Sequence, residues 1–198
     1  MEIVIATRNK RKLEEMRRIG RGWGIPLRSL DDFPDCPAVE EDGETFEVNA
    51  VKKARSVSAW TGRPTVADDS GLEADALGGA PGVRSARYAG PGSGDRENIE
   101  KLLNELRSVE GDRRGARFVC CLAFASPGGD VKTFWGTVRG RIGTESRGDN
   151  GFGYDPVFYP EGSLRTFAEM SDAEKDAISH RGRALRELGW YLSTSAGE

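Results

Sequence analysis

The chain has 198 residues, near the upper end of an ordinary single domain and long enough to bury about 70% of the surface its unfolded form exposes. Its 29 Lys and Arg residues against 32 Asp and Glu leave a formal net charge of −3, so no global basic field argues for wrapping DNA or RNA. The three cysteines, two of them adjacent at Cys120 and Cys121, make a poor disulfide framework and point to a reduced, cytoplasmic protein. The apolar stretch near Ile3 is too short for a signal-peptide core, and the longest apolar run, Phe118 to Ala125, falls far below the roughly 20 residues of a membrane span. The expectation is a soluble chain with neither a nucleic-acid nor a membrane partner.

Glu2 to Thr7 reads as a short buried strand, and Asn9 to Ile19 as a helix with Leu13, Met16 and Ile19 at helical spacing. Thr45 is a suitable N-cap for a second helix reaching Trp60, with Phe46, Ala50, Ala54 and Val57 along one face and Asn49 and Lys53 on an adjacent one. Pro64 to Ala67 reads as a strand ending in Asp68-Asp69-Ser70-Gly71, followed by a Gly-rich loop from Gly78 to Gly94. Asp95 is placed as the cap of a helix carrying Ile99, Leu102, Leu103 and Leu106. Arg117 to Ala125 and Val131 to Ile142 read as hairpin strands joined through Pro127-Gly128-Gly129. A second Gly-rich loop, Gly148 to Gly153, leads into a strand over Pro156 to Tyr159. Ser171 and Glu174 form a capping-box signature, a final helix runs from Ser179 to Leu192, and Ser193 to Glu198 read as a frayed tail. No repeat or composition break divides the chain, so residues 1–198 are expected to form one α/β domain.

Thr7, Arg8, Asn9, Lys10, Arg11 and Lys12 put a hydroxyl, an amide and cations where a strand meets a helix N-terminus, a setting that favours phosphate; a solvated basic helix start is the competing reading. No Walker A pattern occurs, which excludes P-loop mechanics. Glu40, Glu41 and Asp42, with Asp68 and Asp69, supply oxygen ligands of the kind Mg²⁺ takes, although Asp68 to Gly71 alone could be an Asx turn closing a strand. Gly151 to Pro156 offers an aromatic next to a carboxylate, suited to stacking a base, and equally ordinary as hairpin material. The only histidine, His180, could reach base or phosphate oxygens from a helix head, or be a surface residue; Lys175 could neutralise phosphate or be a solvated lysine.

The order and spacing of these segments resemble the inosine triphosphate pyrophosphatase family over residues 3–192. The carrying segments are Ala6 to Asn9 with Lys12; Thr45-Phe46 with Asn49-Ala50 and Lys53-Ala54; and Ala67 to Leu72. Gly79 to Gly82 with Ser85 to Tyr88, Gly151 to Pro156, and Glu174-Lys175 with Ile178 to Gly182 complete the set. The resemblance implies an α/β fold, a long mixed β-sheet with flanking helices forming two lobes around a central cleft, in a protein that is usually a homodimer. It implies hydrolysis of ITP, dITP and XTP to the monophosphate and pyrophosphate, with Mg²⁺ as cofactor and a small-molecule nucleotide as partner. By the same resemblance, Thr7 to Lys12 and Lys53 hold the triphosphate, Glu41 and Asp69 contact Mg²⁺, and Asp69 is the general base. Ser70 touches the nucleotide, Phe152, Gly153, Tyr154 and Asp155 frame the base, and Lys175, His180 and Arg181 complete recognition. One departure stands out: family members often carry a small residue at the place of Arg8 and a glycine at that of Arg11, so the roles of Arg8, Lys10 and Arg11 stay open. A pyrophosphatase for other nucleotides, or a nucleotide-sensing module without turnover, are the competing functions.

Overall fold

The computed structural model describes residues 2–195, so the last three positions of the expected frayed tail, 196–198, lie outside the described residues. Strand β1 (Ile3–Ile5) is wholly buried and pairs in parallel with β2 (Leu27–Ser29), Ile3 facing Leu27 and Ile5 facing Ser29. On its other side β1 pairs in parallel with β3 (Thr65–Ala74), Val4 facing Thr65. Parallel neighbours need crossover connections, which α1 (Lys10–Gly20) and α2 (Phe46–Thr61) supply.

Both helices start where their caps dictate. The Asn9 side chain accepts from the Arg11 and Lys12 amides at 3.0 and 3.1 Å, and Thr45 Oγ1 accepts from the Val48 amide at 3.2 Å. Helix α2 stops at Gly62, whose φ of +66° carries the chain out of the helix while its N–H returns to the Ser58 carbonyl.

The rest of the chain adds α3 (Asp95–Glu105), β4 (Gly115–Ala125), β5 (Val131–Ile142), β6 (Phe158–Pro160), α4 (Asp172–Ile178) and α5 (His180–Ser195). The sheet is six-stranded and mixed, in the order β2-β1-β3-β4-β5-β6, with β6 antiparallel to β5. The mixed sheet and flanking helices bear out the expected fold class. Within β5, Gly140 faces Pro160 across the ladder, and a Cβ at this position would collide with the Tyr159 carbonyl.

The chain divides into two compact units. The first comprises residues 1–69, 120–136 and 181–198, with a core of Ile3, Ile5, Leu13, Met16, Val66, Leu122, Leu185 and Leu188. The second comprises residues 70–119 and 137–180, and Leu72, Leu102, Leu106, Phe118, Phe158 and Phe167 centre its core. In the second unit the buried Arg114 guanidinium donates to the carbonyls of Leu106, Val109, Ile142 and Gly143, closing the loop after α3.

Several expectations are corrected. Strand β3 does not end at Asp68 but runs through the Asp68 to Gly71 tetrad to Ala74, because partners from distant helices satisfy its acidic side chains. The cap of α3 is Gly94, with Asp95 as the first helical residue. Asp155–Val157 is a 3₁₀ turn that shifts the next strand to Phe158–Pro160, and Gly82–Arg87 is a 3₁₀ turn inside the expected loop. The last helix begins at His180 and reaches Ser195. All three cysteines are free and buried, and no helix among the described residues is long and apolar enough to cross a membrane.

Candidate active site

Successive residues of a strand point to opposite faces, and Asp68 and Asp69 accordingly meet different helices. Asp68 takes Lys12 of α1 at 3.1 Å and Arg181 of α5 at 3.0 Å. The same guanidinium also pairs with Glu15, so Arg181 lies almost completely buried between two carboxylates. Asp69 Oδ2 accepts from the Asn49 side-chain amide of α2 at 2.9 Å. Lys53, one turn along α2, donates to the Asp68 carbonyl at 2.6 Å and to Glu41 at 2.7 Å.

These surroundings push the two aspartates apart. Burial opposes charge on Asp68, but Lys12, Arg181 and Lys53 outweigh it and hold the carboxyl far below its ordinary value. Burial dominates at Asp69 and raises its pKa, with Lys53, Lys12 and the Asn49 hydrogen bond only partly offsetting it. Burial also disfavours the Lys53 cation, but Asp68, Glu41 and Asp69 together leave its pKa raised.

At the start of α1 the first-turn amides of Arg11 and Lys12 are already taken by the Asn9 side chain, and Thr7 Oγ1 accepts from the Asn9 amide at 3.2 Å. Lys12 has turned toward Asp68, while Lys10 and Arg11 are exposed. Arg8 donates to the Cys36 carbonyl at 2.6 Å, so its guanidinium ties down the segment before Glu41.

The second unit holds the other group of expected site residues. Asp155 and Lys175 form an ion pair at 2.6 Å with both side chains only 3% exposed, and Asp155 also accepts from the Phe152 amide at 2.8 Å. The Lys175 ammonium lies 4.7 Å from the centre of the Phe152 ring, a cation–π contact beneath the aromatic. Tyr154 is buried and donates from its hydroxyl to the Ser85 carbonyl at 2.9 Å, while Gly153 donates to Asp95 at 2.7 Å. His180 is buried too, its ring stacked on Phe118 at 4.7 Å and 8°, which excludes the surface-residue reading. Ser70 follows Asp69 in β3 and is partly exposed.

Sequence reasoning passed over Glu15 and left Asn49 out of the site. The signals were present: Glu15 stands three residues after Lys12 and Asn49 four before Lys53, spacings that put each pair on one helix face. Among the described residues no three His, Cys, Asp or Glu side chains form a ready-made metal cluster.

A mixed sheet with paired, oppositely perturbed aspartates in β3, met by cations from α1, α2 and α5, defines an α/β protein with a charged centre fit for acid–base chemistry. The chain belongs to the Ham1 family, which it matches over residues 3–191. It is 50% identical over 191 residues to a dITP/XTP pyrophosphatase of Bacillus licheniformis, covering 96% of this chain and 97% of that protein. The Geobacter sulfurreducens dITP/XTP pyrophosphatase is 52% identical over 192 residues, covering 95% and 96%. Among solved structures, a HAM1 protein from Coxiella burnetii superposes with a TM-score of 0.89 at 43% identity, covering 98% of this chain and 99% of that one.

Proposed function

We propose that this chain hydrolyses noncanonical purine nucleoside triphosphates, ITP, dITP and XTP, to the monophosphate and pyrophosphate, with Mg²⁺ as cofactor and Asp69 as general base. The observation that carries the assignment of the base is the contrast between adjacent carboxyls: Asp68 is paired with the Lys12 and Arg181 cations, whereas Asp69 Oδ2 accepts from the neutral Asn49 amide. The nearly full-length relatives named dITP/XTP pyrophosphatase support the substrate class.

Asp69 takes the proton of a water attacking the α-phosphorus, and Asn49, bonded to its Oδ2, fixes the carboxylate plane for that transfer. Lys12 and Lys53 neutralise charge on the phosphates, with Thr7, Arg8, Asn9, Lys10 and Arg11 lining the same turn. Glu41, paired with Lys53, and Asp69, whose charge acts on the same lysine, are oxygen donors that would fit Mg²⁺, which needs only one or two carboxylates besides waters and substrate phosphates. When bound, the ion supplies charge neutralisation on the phosphate oxygens and acidifies water. Ser70 touches the nucleotide; Phe152 stacks on the base, framed by Gly153, Tyr154 and Asp155, and Lys175, His180 and Arg181 complete recognition. A donor at O6 would favour a 6-keto purine over adenine, and a site offering no partner to a 2-amino group would disfavour guanine. The reduced, buried cysteines suit a cytoplasmic protein, and we assign a homodimer on the family resemblance.

The test is hydrolysis of ITP in ¹⁸O-labelled water with Mg²⁺. Attack at the α-phosphorus places the label in inosine monophosphate, with unlabelled pyrophosphate as the other product. Inosine diphosphate with inorganic phosphate, or label in pyrophosphate, would overturn the mechanism.

A further inference from the structure

The segment that carries Phe152 is pinned in an unusual way. Gly151 and Gly153 both take left-handed backbone conformations, φ +73° and +60°, which flank the aromatic, and several hydrogen bonds hold this turn. One tie is internal, the Phe152 amide to Asp155; another runs from the Asn150 side chain to the Met170 carbonyl at 2.9 Å. The third comes from α3, 58 residues away: Asp95 Oδ2 accepts the Gly153 amide at 2.7 Å. Asp95 is not occupied in capping its own helix, since Glu97 accepts the Gly94 amide at 2.9 Å. The same end of α3 also holds the preceding turn, because Asn98 accepts from the Ala89 amide and from Ser93.

We propose that Asp95 is a positioning residue for nucleobase recognition: its carboxylate, through the Gly153 amide, fixes the Phe152 loop in the geometry that receives the base. The proposal deepens the function given above and rests on Phe152 to Asp155 framing the base. A charge at the first position of α3 would by itself favour the helix dipole, so the decisive contrast is between charge and hydrogen bonding. Asp95→Asn keeps a carbonyl that can accept the Gly153 N–H and loses the charge; Asp95→Ala loses both.

Two readouts on the full chain test it. In steady-state hydrolysis of ITP, Asp95→Ala is expected to raise KM about fivefold to tenfold with kcat within about twofold, the scale of one lost hydrogen bond, whereas Asp95→Asn stays near wild type. In amide hydrogen exchange of the ligand-free protein, Gly153 exchanges at least about fivefold faster in Asp95→Ala and keeps its protection in Asp95→Asn. An unchanged KM in Asp95→Ala, equal damage in both variants, or a loss confined to kcat overturns the proposal. If the wild-type chain fails to hydrolyse ITP, the functional reading falls and base positioning falls with it. Gly153 exchange then shows separately whether the Asp95 tie exists, and unchanged exchange in Asp95→Ala refutes the tie itself.

Discussion

Asp68 and Asp69 are consecutive residues of β3 with opposite partners: Asp68 is gripped by the Lys12 and Arg181 cations, and Asp69 by the neutral Asn49 amide. The pleat of the strand separates a carboxyl whose pKa its cations depress from one whose pKa burial raises.

Asp69→Asn is expected to keep the fold, since an amide can still meet Asn49, and to lose at least about 10²-fold in kcat, the scale of a positioned general base. Turnover within a few-fold of wild type in a single-turnover assay would remove Asp69 from that role.

In the Mg²⁺-free protein the Asp69 carboxyl should titrate above the ordinary aspartate value of 3.8, because burial raises its folded pKa. Lys53 lowers the Asp69 pKa, so Lys53→Met should move that titration to higher pH, besides weakening phosphate binding in the enzyme. A carboxyl signal that stays in place in the variant, or moves toward acid, contradicts this electrostatic coupling.

Asp68→Asn removes a buried anion facing two cations and is expected to cost about 3–5 kcal/mol of stability at neutral pH. The folded pKa of Asp68 is depressed, so its contribution is present above 3.8 and is lost as pH falls toward the folded value, where the unfolded chain takes the proton first. Urea titrations of wild type and variant should therefore converge below pH 3.8; a gap that widens with acid would reverse the sign.

Asp155 and Lys175 are buried as a pair, so Lys175→Met and Asp155→Asn are each expected to destabilise by about 3–5 kcal/mol, while the double variant loses less than the sum. Additive losses in a double-mutant cycle would show that the two do not act as a unit.

Local chemistry made the frame readable: Asn9, Thr45, and Ser171 with Glu174 announce helix starts that the structure contains. The site was less legible wherever a charged residue is buried by partners distant in sequence. Asp68 to Gly71 has the composition of a turn, and partners brought from three helices, among them Lys12, Asn49, Lys53 and Arg181, make it part of a strand. His180 reads as surface by type and is buried against Phe118, a neighbour remote in sequence. Strand β2 escaped because three residues flanked by Pro26 and a 3₁₀ turn carry no periodicity.

The most direct measurement is pyrophosphate release from ITP, dITP, XTP, ATP and GTP, with Mg²⁺ and with a chelator, using Asp69→Asn as the blank. The expected result is release from the inosine and xanthosine nucleotides that requires Mg²⁺ and vanishes in the variant. Equal release from ATP would contradict the specificity, and no release from any of the five would contradict the enzyme itself.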